Sequence, residues 1–194
     1  MNHRYSFRQY RAIDLVMFAV ILCIAEWLIV TAATRWYPDQ LYTASVVGAV
    51  TAIVLIRWGP YALIHAVLGG AVFCLASHGS RQQLLIYCGG NVLSLLMLLP
   101  LRFVGAEKIR EKASFSVLFG LCTLLLMQLG RMLLALALGS PFYTSLGFFT
   151  TDVLSLLFTG VIVWIARRLD GIFEDQKHYL LRINKPEEEE EGGY

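Results

Sequence analysis

The sequence predicts an all-α, polytopic membrane protein: a bundle of six transmembrane helices with both termini in the cytoplasm. Of its 194 residues, 57% are hydrophobic and only 15% are charged, whereas a soluble domain carries about a quarter charged residues. The mean hydropathy is +0.62, and the apolar residues form runs long enough to cross a bilayer. The number of spans follows from where these runs are interrupted and where the basic residues lie.

The first predicted helix covers residues 13–34 and follows a cytoplasmic segment, residues 1–12. Its apolar run contains Glu26 and lacks a small-residue cleavage site, so we interpret it as a retained span rather than a removable signal peptide. The stretch "RWYPDQ" ends the helix, because tryptophan and tyrosine suit the membrane interface and proline cannot continue a helix.

The next apolar block, residues 41–76, is too long for one crossing. A single helix of this length would measure about 54 Å at 1.5 Å per residue, against a bilayer core of about 30 Å. The stretch "IRWGPY" interrupts it with a charge, a flexible glycine and a proline that suits the first turn of a new helix. The pattern predicts a hairpin of two short helices, residues 41–56 and 60–76.

Three further helices complete the predicted transmembrane domain, residues 13–166. The polar stretch "SHGSRQQ", the charged stretch "RFVGAEKIREKAS" and the turn "GSPFYTS" separate them. They cover residues 83–101, 115–138 and 146–166. Residues 167–194 are predicted to form a cytoplasmic segment with an amphipathic first part and an acidic tail.

The basic residues support this topology. Six spans place thirteen of the sixteen on the side of the termini and two on the other, with Arg131 inside a helix. Such a bias is the positive-inside signal of a cytoplasmic face, and we expect a bacterial inner membrane. The thirteen are Arg4, Arg8, Arg11, Arg57, Arg102, Lys108, Arg110, Lys112, Arg167, Arg168, Lys177, Arg182 and Lys185; the two are Arg35 and Arg81.

Five polar residues on four predicted helices reach one depth in the outer half of the membrane. Arg131 lies seven residues inside the end of its helix, about 10 Å deep at 1.5 Å per residue. Asp152, Asn91 and Glu26 lie at similar depths on other helices, and Gln128 shares a helix face with Arg131. A charged side chain inside the membrane is costly and needs a partner, so we expect these side chains to meet.

We call these five residues the polar level, and two interpretations of it remain open. It could be a structural ion-pair network, or the wall of an outward-facing pocket that holds a small solute. The two carboxylates exceed the one guanidinium, which favours the pocket. Nearby aromatic rings, Tyr42 among them, could stack on a flat ligand, although an ordinary interfacial belt explains most of them equally well. The candidate substrate-binding residues are Glu26, Trp36, Tyr37, Asn91, Gln128, Arg131 and Asp152.

The sequence offers little support for other classes of function. It contains no phosphate-binding loop, no H-E-x-x-H or G-x-S-x-G motif and no basic, aromatic nucleic-acid motif. Its four cysteines lack C-x-x-C spacing and lie in apolar runs, which is typical of packed thiols. We expect no cofactor, metal site or nucleic-acid partner, and no enzymatic activity. An enzyme using Glu26 or Asp152 as acid or base is the weakest alternative.

In size and span arrangement, residues 12–168 resemble the substrate-binding S component of energy-coupling factor (ECF) transporters. The residues that carry the resemblance are the hairpin "ASVVGAVTAIVLIRWGPYALIHAVLGG" and the intramembrane Asn91, Arg131 and Asp152. The resemblance implies capture of a vitamin or similar micronutrient at the outer face. It also implies two kinds of partner, a membrane coupling protein and two cytoplasmic ATPases, and a site built from helices 4 to 6 and the loop after helix 1.

A non-enzymatic scaffold is the second hypothesis. The rod-shape-determining membrane protein D is similar to this chain in size and span number. On this hypothesis the polar level is structural, and partners bind small-residue helix faces or the cytoplasmic tail.

Overall fold

The computed structural model describes residues 7–39, 42–169 and 172, and all regular secondary structure within these ranges is helical. Two 3₁₀ segments, Gly59–Tyr61 and Val92–Met97, join successive helices. The α-helices are α1 (Phe7–Trp36), α2 (Val47–Trp58), α3 (Ala62–Ala76), α4 (Arg81–Asn91), α5 (Leu98–Val104), α6 (Ala106–Glu111), α7 (Ala113–Ala137), α8 (Phe142–Thr150) and α9 (Val153–Arg168).

Five segments of the described chain are long and apolar enough to cross a membrane. One of them, Val47–Ala76, contains α2 and α3, and the chain reverses between these helices. Gly59 adopts a φ of 59°, which favours glycine, and Pro60 follows at the start of the 3₁₀ turn. Val47 of α2 packs against Gly69 of α3, where a Cβ added to the glycine would lie 2.6 Å from the valine side chain. The predicted hairpin is therefore present.

Helix α2 is the centre of the bundle. All twelve of its residues are buried, and α1, α3, α7 and α9 pack around it. At 1.5 Å per residue it is only about 18 Å long, shorter than a bilayer core. Because protein surrounds it on every side, its apolar surface faces other helices rather than lipid, as expected for a helix that is hydrophobic all round.

The outer helices bury polar residues and expose apolar ones, which is the reverse of the arrangement in a soluble protein. On α1 the buried positions are Asp14, Leu22, Glu26 and Val30, with Leu22 and Val30 one turn before and after Glu26. The exposed face of the same helix is apolar and includes Ile13, Val16, Val20, Ile24 and Leu28. A helix with carboxylates inside and aliphatic side chains outside suits an apolar solvent.

The predicted spans differ from the helices at three places. The second predicted helix, 41–56, begins only at Val47, because residues 42–46 are not helical. The fourth, 83–101, is divided into α4, a 3₁₀ segment and α5. The sixth, 146–166, begins at Phe142 and is broken at Thr151 and Asp152. Most of the predicted segment 167–194 lies outside the described residues, as do residues 1–6.

The start of α1, the α2–α3 turn, α5, α6 and the end of α9 lie at one end of the bundle, called here the basic end. The predicted loop charge Arg57 is buried there, at the end of α2. Its Nε and Nη2 donate to the two carboxylate oxygens of Asp14 at 3.0 and 2.7 Å. Trp58 also donates to this carboxylate. The opposite end, with the α3–α4 and α7–α8 turns, is called the cavity end.

Candidate functional site

Two interruptions of the helical backbone meet inside the bundle near the cavity end. One is the non-helical segment 42–46, and the other is the break between α8 and α9. The backbone N–H of Thr43 donates to the carbonyl oxygen of Thr151 at 2.8 Å. The Thr43 hydroxyl donates to Oδ1 of Asp152 at 2.9 Å. The first of these bonds pairs two backbone groups at the junction of the two interruptions, where the helices are broken.

Asp152 holds α7 to this junction. Its Oδ2 accepts from Arg131 Nη1 at 3.2 Å and from Gln128 Nε2 at 3.2 Å. The side chains of Arg131 and Asp152 are each only 4% exposed, so this is a buried ion pair. Since Oδ1 already binds Thr43, both carboxylate oxygens are occupied by protein groups.

Asn91 connects the ion pair to α3. Its Oδ1 accepts from Arg131 Nε at 2.8 Å, and its Nδ2 donates to the carbonyl oxygen of Ala66 at 2.8 Å. The ring of Tyr87, one turn earlier on α4, lies 4.6 Å from the guanidinium carbon. This ring also stacks on Phe73 with centroids 4.5 Å apart. The arginine is thus enclosed by amide, carboxylate and aromatic groups.

Glu26 has a different role from the other members of the polar level. It is fully buried, and its Oε2 accepts from the backbone N–H of Val46 at 2.8 Å. That N–H belongs to the residue before α2, so the carboxylate caps the start of the central helix from a neighbouring helix. A negative charge at a helix N-terminus is favourable. Among the described residues, Oε1 has no hydrogen-bond partner.

This geometry predicts that Glu26→Gln is tolerated and Glu26→Leu is not. The glutamine oxygen can still accept from Val46, and its amide takes the place of the unpartnered Oε1. Leucine leaves a buried N–H unpaired, which costs about 1–3 kcal/mol. Thermal unfolding of the purified protein measures both variants. Equal melting temperatures for the two would show that the carboxylate does not hold α2.

A cavity of about 470 Å³ opens beside the junction at the cavity end. Its wall is mainly apolar, with hydroxyl groups from threonine, serine and tyrosine. Thr34 and Ser77 donate their hydroxyls to carbonyl oxygens of their own helices. The lining residues are Val30, Ala33, Thr34, Tyr37, Pro38, Tyr42, Thr43, Ala44, Phe73, Ser77 and Leu154.

The polar level supports this cavity but does not line it. Glu26, Asn91, Gln128, Arg131 and Asp152 are all absent from the lining. Two lining residues connect the cavity to the level. Thr43 binds Asp152, and Phe73 stacks on the ring that covers Arg131. The charges are therefore satisfied behind the wall, which differs from the hypothesis that they face a solute.

The two aromatic candidates at the end of α1, Trp36 and Tyr37, lie in different surroundings. Tyr37 lines the cavity, whereas Trp36 does not and is 76% exposed. Sequence reasoning named Tyr42 only among the rings of the region and missed Thr43 and Phe73. Tyr87 also escaped it, although its spacing of four residues before Asn91 places both on one helix face. No comparable signal marks Thr43, because its partners come from the other end of the chain.

The described residues contain no group of three or more histidine, cysteine, aspartate or glutamate side chains placed to hold a metal ion. Comparison with protein-family models, with curated proteins and with solved structures gives no significant match. A function is therefore inferred from the cavity and from the buried polar residues beside it.

Proposed function

We propose that this protein is the membrane-embedded solute-binding subunit of an ECF-type transporter and captures a small micronutrient in the cavity. One observation carries the proposal: two non-helical backbone segments meet inside a bundle of helices that are long and apolar enough to cross a membrane, and one of these segments lines a cavity. Non-helical backbone inside a membrane is tolerated only where protein buries it or where it lines a cavity. In secondary transporters, interrupted helices of this kind form substrate sites near the midplane.

The proposed topology has six crossings, with the basic end and both termini in the cytoplasm of a bacterium. Two observations support it. The hairpin of α2 and α3 divides one of the five apolar segments into two passes. The basic end gathers arginine and lysine from α1, α5, α6 and α9, in keeping with the positive-inside rule. The cavity then opens to the outside.

The cavity favours a small, uncharged ligand with a flat ring. Its volume of about 470 Å³ lies within the 300–1,000 Å³ typical of small-molecule sites. Tyr37, Tyr42 and Phe73 offer ring faces and two phenol groups, and none of the described residues that line the wall is charged. Arg131 and Asp152 bind each other behind the wall, so neither is available to pair with a charged ligand. Vitamins and nucleobases with little net charge are the first compounds to test.

Transport by this subunit requires an external source of energy. The sequence has no phosphate-binding loop, so the proposal includes a membrane coupling protein and two cytoplasmic ATPases as partners. Their binding surface would lie on the cytoplasmic side of the bundle, away from the cavity.

Ligand-dependent thermal stabilisation tests the proposal. We expect at least one vitamin or nucleobase to raise the melting temperature of the purified protein. We expect Ala33→Leu to abolish this rise, because Ala33 lines the cavity and the larger side chain fills it. Ala32→Leu is the matched control, since Ala32 is the preceding residue of α1, is equally half-buried and does not line the cavity. A rise that survives Ala33→Leu would contradict the assigned site.

The scaffold is the second candidate function, and one observation favours it. Both carboxylate oxygens of Asp152 and both side-chain heteroatoms of Asn91 bind other groups of the protein. Such saturation is what a purely structural network requires. On this alternative the protein resembles the rod-shape-determining membrane protein D in role. Co-purification without an ATPase module, together with altered cell shape on deletion, would favour the scaffold over the transporter subunit.

A further inference from the structure

A second cavity lies at the basic end of the bundle, whereas the proposed solute site lies at the cavity end. Its volume is about 710 Å³. It is formed by the start of α1, the end of α2 with the 3₁₀ turn, α5 and the start of α6. The lining residues are Phe7, Arg11, Leu55, Ile56, Arg57, Trp58, Gly59, Pro60, Tyr61, Leu98, Leu101, Arg102 and Ala106. We call it the basic groove.

Among the described residues, the lining of the basic groove includes three arginines and no acidic residue. Arg57 is neutralised, because Asp14 behind the wall binds it with both carboxylate oxygens. Arg11 and Arg102 form no ion pair with any residue in the described ranges. Two positive charges therefore face one groove without a matching anion in the described part of the chain.

Aromatic rings orient one of these charges. The guanidinium carbon of Arg11 lies 4.3 Å from the ring centroid of Tyr61 and 5.8 Å from that of Phe7. Stacking of this kind uses the faces of the guanidinium and leaves its N–H edge available to an anion. A planar guanidinium binds two phosphate oxygens at once with good geometry.

The rest of the groove is apolar. Phe7, Leu98 and Leu101 extend its wall, and Trp58 and Tyr61 supply the aromatic residues that favour the membrane interface. A soluble anion would leave this surface uncovered, whereas a lipid offers an acyl chain for it and a phosphate for the arginines. Basic pockets between transmembrane helices are suited to anionic headgroups.

We propose that the basic groove binds an anionic phospholipid, with its phosphate on Arg11 and Arg102 and an acyl chain along Phe7, Leu98 and Leu101. The lipid joins the start of α1 to α5 through its headgroup. This site is independent of the solute cavity, and neither proposal depends on the other.

The test is a titration of the full chain in detergent, with lipid binding followed by native mass spectrometry. The probes are phosphatidylglycerol, phosphatidylcholine of the same chain length, and inorganic phosphate as competitor. We expect phosphatidylglycerol to bind more tightly than phosphatidylcholine, and millimolar phosphate not to displace it. Arg11→Gln with Arg102→Gln should weaken phosphatidylglycerol binding about thirtyfold, and Arg102→Gln alone about fivefold, from the contribution of one basic residue at an anionic surface.

The matched control is the pair Arg8→Gln and Lys108→Gln. These residues lie on α1 and α6 at the same end of the bundle, are exposed and do not line the groove. We expect their combined effect to stay within about twofold. An equal loss in the control pair would reduce the effect to general surface charge and overturn the proposal. Equal binding of the two lipids would also overturn it. Displacement of phosphatidylglycerol by inorganic phosphate would overturn it too, because the groove would then bind a free anion rather than a lipid.

Discussion

Replacing Arg131 by methionine is expected to destabilise the protein by about 3–5 kcal/mol, enough to abolish folding. The substitution leaves the carboxylate of Asp152 buried without its cation, and removing one partner of a buried pair has this cost. The side chains are each 4% exposed, so solvent cannot compensate. Asn91 also loses the donor to its Oδ1. The yield of monodisperse protein and its melting temperature measure the effect.

A double variant separates the charge from the contacts. Arg131→Met combined with Asp152→Leu removes both charges and replaces them with apolar side chains, an exchange that is often close to neutral. We expect the double variant to be more stable than Arg131→Met alone. Arg81→Met, at the exposed start of α4, should change the melting temperature little. If the destabilisation of the double variant equals the sum of those measured for Arg131→Met and Asp152→Leu separately, the two residues are not energetically coupled.

The second large effect is expected from Gly130→Ala, through backbone contact rather than charge. Helices α4 and α7 cross at Gly90 and Gly130, and a Cβ on Gly130 would clash with the carbonyl oxygen of Gly90. A Cβ on Gly90 would lie 2.5 Å from the backbone nitrogen of Arg131. Backbone atoms cannot move aside as a flexible side chain can, so we expect a loss of about 3 kcal/mol or more.

Gly160→Ala is the matched control for this clash. Gly160 also lies within a helix, but an added Cβ there would meet only ordinary contacts, at 3.9 Å from Leu121 and Val117. Alanine is a better helix former than glycine, so this variant should be as stable as the parent or slightly more stable. Similar melting temperatures for Gly130→Ala and Gly160→Ala would contradict the close crossing of α4 and α7.

Much of the polar level was predictable by counting residues. The rise of a helix is fixed, so the position of Arg131 within its predicted span gives its depth. The same count places Asp152 and Asn91 at that depth on other helices, and the three side chains do bind one another. The high cost of an unpaired charge in a membrane supplies the reason that they must meet.

Other features could not be predicted in this way. Residues 41–46 continue an apolar run that is compatible with a helix, yet segment 42–46 is not helical. Its polar backbone groups find partners elsewhere: Glu26, twenty residues earlier, binds Val46, and Thr151, more than a hundred residues later, binds Thr43. The buried ion pair of Arg57 and Asp14 is a further example, because its two residues lie 43 positions apart in the sequence. Which distant groups come together depends on helix packing, which periodicity does not specify.

By itself, the sequence determined that the chain is an all-helical membrane protein, that α2 and α3 form a hairpin, and that Arg131 needs a partner. These conclusions depend on local quantities: hydropathy, helix rise and the backbone preferences of glycine and proline. Only the tertiary structure decided that α2 is the buried centre and that the charges lie behind the cavity wall. Both are properties of how the helices surround one another, because contacts between helices that are distant in sequence decide which side chains are enclosed and which line a cavity.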